Sequence, residues 1–162
     1  MGAATAQREA FAMRAGEGRP IDVLNNDITI KISSQDTGGE FTVFEGRTPP
    51  QGGPPMHIHH EQDEWWYVLE GEFRFSVDGE EILGRAGDTV FAPRGSRHTF
   101  QCISQAAGRL LTTVVPGGLD IFFEELSAAV PRGTAPDPAK VAPIFKKHGM
   151  ELAGPPLGPY RL

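Results

Sequence analysis

The sequence predicts an all-β fold, a double-sheet sandwich or closed barrel with short helices at its C-terminal end. Short runs rich in β-branched and aromatic residues recur at regular spacing, with turn residues between them. Gly 20 and Pro 14 make 34 of the 162 residues, about 21%, against roughly 12% in ordinary chains, which suits many tight turns. After Gly118 the apolar period changes from that of a strand to that of a helix.

Residues 1–20 are rich in Ala and Gly, carry Arg8, Glu9, Arg14 and Glu17, and read as an N-terminal arm with at most one turn of helix. Ile28-Thr29-Ile30-Lys31-Ile32 alternates apolar and polar and reads as a strand. Phe41 to Glu45 is another, followed by the loop Pro49 to Pro55. Glu64 to Glu70 and Glu72 to Val77 form two strands about Gly71, and Asp78-Gly79 is a strong hairpin turn into Glu81-Ile82-Leu83. Thr89 to Ala92 is cut off by Pro93, and His98 to Ile103 follows. Arg109 to Val115 is the last clear strand, ended by Pro116-Gly117-Gly118. Leu119 to Val130 then places Ile121, Phe122, Leu126 and Val130 at helical spacing. Asp137 is a good N-cap with Pro138 at N1, and Gly149 sits where a helix would stop. Pro143 inside that stretch lacks a backbone donor and weakens the helix without removing it. The expected division is an arm over 1–20, a barrel over 21–118 and a tail over 119–162, one domain in all, with two short helices packing outside the barrel.

A chain of 162 residues can bury one real core. Its net charge of −6 argues against nucleic acid, which requires a basic stripe. No apolar run approaches the ~20 residues of a membrane span, and the first twenty residues hold no apolar signal segment. A lone cysteine, Cys102, makes no internal disulfide. These features lead to the expectation of a cytoplasmic protein.

His57, His59, Glu64 and His98 carry the chemistry. Residues i and i+2 of a strand share a face, so His57 and His59 aim together with Cα atoms about 6.6 Å apart, close enough for both imidazoles to reach one ion. A carboxylate five residues on, and a third imidazole after the Pro93–Gly95 turn, complete three nitrogens and one oxygen. Such a set suits one divalent transition metal, Fe, Ni, Mn, Co, Cu or Zn, better than Ca or Mg. Asp63, next to Glu64, is the alternative oxygen ligand. His60 points to the opposite face and reads as a surface residue. His148 lies at the end of the last helix, where a cation is favoured.

The same residues carry a resemblance. His57-x-His59-x4-Glu64-x6-Gly71 resembles the first cupin motif, and Gly87-x5-Pro93-x-Gly95-x2-His98 resembles the second. Two positions depart from it: Gln51 stands where the first motif opens with Gly, with Gly52 and Gly53 alongside, and Cys102 stands where the second ends in Asn. Neither is a metal ligand. From Gly38-Gly39-Glu40-Phe41 to the tail Phe145 to Glu151, the chain is similar to single-domain, quercetin-dioxygenase-like bacterial cupins over roughly residues 20–155. The resemblance implies a jelly-roll-like barrel with the metal inside and a planar aromatic substrate such as a flavonol, oxidised with O₂.

In that reading four protein ligands on a six-coordinate ion leave two open positions, and Glu64 serves as both ligand and acceptor of the substrate's hydroxyl proton. Trp66 shares Glu64's parity and is the first candidate for a pocket wall, with Phe75, Phe91, Phe100 and Cys102 in neighbouring strands. Cys102 lies roughly 13 Å along the strand from His98 and cannot share its ion. Arg94 and Arg97 flank the turn before His98, where one of them could meet an anionic substrate. Two other functions fit the same residues: a metal-dependent isomerase, cyclase or decarboxylase, and a non-catalytic protein that binds metal and a small molecule. A homodimer is expected, because Trp65 and Tyr67 face away from Glu64 and require cover.

Overall fold

Hairpins about Gly71 and about Asp78-Gly79 organise the centre of the chain, and the rest pairs around them. The computed structural model describes residues 8–160. Its strands are β1 (Arg19–Val23), β2 (Asn26–Ile32), β3 (Thr42–Thr48), β4 (His57–His59), β5 (Asp63–Glu70), β6 (Glu72–Val77), β7 (Glu80–Arg85), β8 (Thr89–Ala92), β9 (Arg97–Cys102), β10 (Gly108–Val115) and β11 (Met150–Leu152). The helices are α1 (Leu119–Ala129) and α2 (Pro138–Lys147). Two antiparallel sheets face each other, one in the order β1-β2-β3-β10-β5-β8 and the other β11-β4-β9-β6-β7.

Strand parity decides what enters the space between the sheets. Glu64, Trp66 and Val68 on β5 are buried, while Trp65 and Tyr67 are 37% and 41% exposed on the outer face. Across β5, Trp66 pairs with Thr112 of β10, which in turn pairs with Phe44 of β3, so these three share the inner face. One apolar cluster, Trp66, Val68, Phe73, Phe75, Val90, Ala92, Cys102 and Leu110, fills one end of the sandwich.

The other end is filled by the helices, which corrects the expectation that they lie outside the barrel. Phe122, Phe123 and Leu126 of α1 and Val141 and Phe145 of α2 join Ile28, Ile30, Phe44 and Val114 in a single cluster. Phe123 meets Phe44 edge-on at 4.9 Å between ring centroids, and Phe122 meets Phe145 at the same distance. β1 and β2 form one edge of the six-stranded sheet, and α1 packs on β1 and covers their apolar face. Buried Asp120 fixes the start of α1, accepting hydrogen bonds from Ser34 N at 3.1 Å, Ser34 Oγ at 3.0 Å and Thr42 Oγ1 at 3.1 Å.

Several sequence expectations shift here. Ile121 is 53% exposed, because at 100° per residue it falls opposite the row Leu119, Phe122, Phe123, Leu126, Val130 that faces the core. α2 forms as expected from its Asp137 cap, whose Oδ1 accepts from Ala139 N at 3.0 Å, and it runs through Pro143. The arm's boundary at 20/21 falls inside β1, an edge strand that tolerates Pro20. Residues 8–18 contain a turn and no helix, and residues 1–7 of the arm lie outside the described residues. β11, three residues long, emerges only by pairing with β4. No helix among the described residues is long and apolar enough to cross a membrane.

Candidate metal centre

β4 is only three residues long, and its inward positions are both histidines. It lies between β9 and β11, with His57 directly opposite His98. β5 brings Glu64 to the same space from the facing sheet. The two sheets therefore converge all four residues, each buried, so that one ligand atom of each lies within 4.8 Å of every other. Bonds of about 2.1 Å to a common ion place opposite ligands about 4.2 Å apart, so a closure of a few tenths of an ångström completes the set.

Each imidazole is held by its other nitrogen. His57 Nδ1 lies 2.8 Å from the Pro55 carbonyl oxygen, His59 Nδ1 2.9 Å from Gln62 Oε1, and His98 Nδ1 3.1 Å from the Ser96 carbonyl oxygen. All three partners accept. Gln62 is oriented for this by its Nε2, which donates to the carbonyls of Pro116 at 3.0 Å and Gly117 at 3.3 Å. Nδ1 is therefore the protonated nitrogen of each neutral ring, and the Nε2 lone pair is free.

Burial, the largest influence on each, pushes all three histidines down to about 4, so at neutral pH none carries a second proton. Yet Glu64 Oε2 sits 3.3 Å from His59 Nε2 and 3.1 Å from His98 Nε2. Glu64 Oε2 and two imidazole Nε2 atoms thus converge in a buried space, with the Nδ1 hydrogens of both rings turned away from it. The donors fit a divalent transition metal held by His57, His59, Glu64 and His98.

The remaining candidates separate cleanly. Asp63 turns to Arg94, accepting from its backbone N at 2.9 Å, its Nε at 3.1 Å and its Nη2 at 2.9 Å. Those hydrogen bonds lower its carboxyl to about 2 and leave it outside the cluster. Arg97 is spent on the tail, donating to the Ala153 carbonyl oxygen at 2.7 Å. His60 is half exposed beside Glu151, and His148 ends α2 with its Nε2 2.8 Å from Glu125 Oε2.

Of the expected wall residues, Trp66 and Phe100 line the cavity that the four residues face. Phe75 and Cys102 lie behind them in the core cluster, not on the wall. Phe91 is corrected outright: β8 presents it opposite Trp65 on the outer face, 54% exposed. The other wall comes from Phe122, Leu126 and Phe145, with the Phe145 ring 6.3 Å from that of His57. Their helical period is visible in the sequence, but nothing there says which cavity they close. The two departures from the motifs prove to be neighbours. Gln51 N donates to the Cys102 carbonyl at 2.8 Å, Cys102 N donates to the Gly52 carbonyl at 2.9 Å, and Gln51 takes a left-handed φ of 61° where the motif has Gly. Gly53 alongside cannot vary, because a Cβ there would meet the Phe100 carbonyl oxygen at 1.9 Å.

Gln62 is the site residue that the sequence alone does not single out. Gln62→Leu should leave the fold intact and lower affinity for a divalent transition metal by about 10–100-fold, the usual effect of losing the partner that orients a ligating imidazole. Calorimetric titration of metal into the purified variant checks this, and unchanged affinity would show that Gln62 does not position His59.

Residues 44–114 match the Cupin domain model. The chain is 27% identical over 116 residues to quercetin 2,3-dioxygenase of Bacillus subtilis, an alignment covering 72% of this chain and 34% of that protein. It is 43% identical over 49 residues to the oxidoreductase iacF of Pestalotiopsis fici, covering 30% of this chain and 24% of that one. The chain thus spans about a third or less of the length of these curated relatives. Among solved structures, a predicted oxalate decarboxylase of Thermotoga maritima superposes with a TM-score of 0.62 at 20% identity, over 65% of this chain and 99% of that one, which speaks for the fold. The domain match runs from β3 to β10 across every residue of the candidate centre, so this stretch of the chain is similar to a Cupin domain, and the two-sheet fold agrees with it.

Proposed function

We propose that this protein is a cupin, a metal-dependent dioxygenase acting on an aromatic small molecule with an enolic or phenolic hydroxyl, of the flavonol class. The observation that carries the metal half of the reading is the convergence of three free Nε2 atoms and Glu64 in a buried, otherwise apolar cavity. The oxygenase half draws on the similarity to quercetin 2,3-dioxygenase and to a second oxidoreductase.

A divalent transition ion held by His57, His59, Glu64 and His98 would supply Lewis acidity toward a substrate hydroxyl and, where the ion is redox-active, electrons for O₂. The protein's own residues do the rest. Glu64 is the only carboxylate of the cluster and is placed to take the hydroxyl proton. Trp66, Phe100, Phe122 and Phe145 exclude water and offer faces to an aromatic ring.

The test is oxygen consumption by metal-loaded protein supplied with a flavonol. Uptake that depends on the flavonol and stops with a chelator is expected. Turnover that persists without oxygen would move the reading to an isomerase, cyclase or decarboxylase, and tight flavonol binding with no turnover would leave a binding protein.

A further inference from the structure

The cavity facing the four site residues has a volume of about 90 Å³. A water molecule's share of liquid volume is about 30 Å³, and sites for larger organic ligands run to roughly 300–1,000 Å³. One ring fits beside the centre, whereas a flavonol does not fit there whole.

A second, outer groove of about 500 Å³ lies next to it, where the β1–β2 turn, the Gly53–Pro55 loop, the start of α2 and the stretch from Leu152 to Pro156 meet. Its lining is apolar and rich in proline, with Pro136, Pro138, Val141 and Leu152 among its walls. Leu24 and Pro55 line both spaces. These two side chains are therefore the partition between the inner cavity and the outer groove.

The partition is held in place from both sides. Pro55 is fixed to the centre by its carbonyl, which accepts from His57 Nδ1 at 2.8 Å. Leu24 and Asn25 form the two-residue β1–β2 turn with φ of 51° and 65°, left-handed values that residues other than Gly seldom adopt. The link between α1 and α2 secures that turn: Gly133 N donates to Asn25 Oδ1 at 3.0 Å, and Arg132 pairs with Asp22 and Asp27 on the flanking strands. Asn26 Nδ2 adds bonds to the Val23 and Leu24 carbonyls at 3.3 and 3.2 Å. A non-glycine residue kept in such a conformation by surrounding contacts is a pattern that clusters at ligand clamps.

We propose that the outer groove is the second half of the substrate site. One ring of an elongated aryl ligand lies in the inner cavity, the molecule passes between Leu24 and Pro55, and the second ring rests on the proline-lined groove. Leu24 thereby sets the length of ligand the protein accepts. The placement of the first ring rests on the aromatic-substrate reading given above.

Calorimetric titration with phenol, 4-phenylphenol and 3-hydroxyflavone, three hydroxylated probes of rising length, tests this without reading turnover. The wild type is expected to bind the two longer probes at least tenfold more tightly than phenol. Leu24→Trp, which thickens the partition, should weaken both longer probes at least tenfold more than it weakens phenol. Leu24→Gly keeps the left-handed backbone without steric cost, so it covers the case in which the Trp variant does not fold. It should bind 3-hydroxyflavone at least as tightly as the wild type. The proposal is overturned if the wild type does not prefer the longer probes, if a folded Leu24→Trp binds them unchanged or loses phenol equally, or if Leu24→Gly loses them tenfold. A protein that passes these tests but consumes no oxygen keeps the two-part site and loses the dioxygenase reading. Oxygen uptake that proceeds with no dependence on Leu24 does the reverse.

Discussion

Glu64→Gln is expected to retain part of its metal and to lose turnover per bound metal by about 10²–10⁴-fold, the range for removing a general base. Glutamine keeps the shape of the side chain and one oxygen donor toward the ion. It loses the negative charge and the capacity to hold a proton. Among the residues of the centre only Glu64 can do the latter, because the three imidazoles have their Nδ1 hydrogens committed to Pro55, Gln62 and Ser96 and present their Nε2 atoms to the ion. Asp63, the neighbouring carboxylate, cannot stand in, since Arg94 occupies both its oxygens. Metal stoichiometry and rate must be measured on the same preparation. A rate per metal that does not change would remove Glu64 from proton transfer, and metal content and rate falling in step would leave it as a ligand that only tunes the ion.

The centre was legible in the sequence for a specific reason. A strand fixes side-chain direction with period two, so His57 and His59 had to share a face, and the motif spacing then supplied Glu64 and His98. The same rule placed Trp66 inward and Trp65 outward, as found. It failed where direction depends on pairing between distant strands. Phe91 looked like Phe100, a phenylalanine in a short strand near the turn that carries Pro93, but β8 pairs with β5 in a register that sets Phe91 opposite outward-facing Trp65. Phe75 and Cys102 do point inward, toward the far end of the sandwich, and inward is not the same as pocket-lining. The helices were the larger omission. Period 3.6 reveals an apolar face on α1 but carries no information about what that face covers. The face of α1 is explained only once β1 and β2, at the edge of the six-stranded sheet, bring Val23, Ile28 and Ile30 into one cluster with the residues of α1 and α2. Gln62 escaped notice because a single polar residue in a turn has no sequence signal until its two hydrogen-bonding partners, on Pro116 and Gly117, are brought beside it.

Metal loading should stabilise this protein by an amount large enough to see directly. Without an ion, Glu64 Oε2 faces two imidazole nitrogens at 3.1 and 3.3 Å whose lone pairs repel it, in a space that water scarcely reaches. A cation replaces that repulsion with attraction in the folded state alone, because the unfolded chain has no such convergence. Any ligand at 1,000 times its dissociation constant adds about 4.1 kcal/mol of stability. For a chain of this size each kcal/mol moves Tm by about 2–4 °C, so an increase on the order of 8–16 °C is expected. Mn²⁺, Co²⁺, Ni²⁺ and Zn²⁺ should each produce it to a degree that follows their affinity, with Mg²⁺ and Ca²⁺ producing little, because three imidazoles are poor ligands for hard ions. A chelator should reverse the increase, and His57→Ala should shrink it by about 1.4 kcal/mol for each tenfold loss of affinity. Glu64→Gln separates this account from nonspecific salt effects. Without metal it should melt at or above the wild type, since the buried charge facing the imidazoles is gone, and with metal it should gain less. Differential scanning calorimetry of the two proteins, with and without metal, reads all four values. A Glu64→Gln protein that is less stable than the wild type without metal, and gains as much from metal, would mean that the carboxylate is satisfied within the protein itself and that no ion is needed to explain where it points.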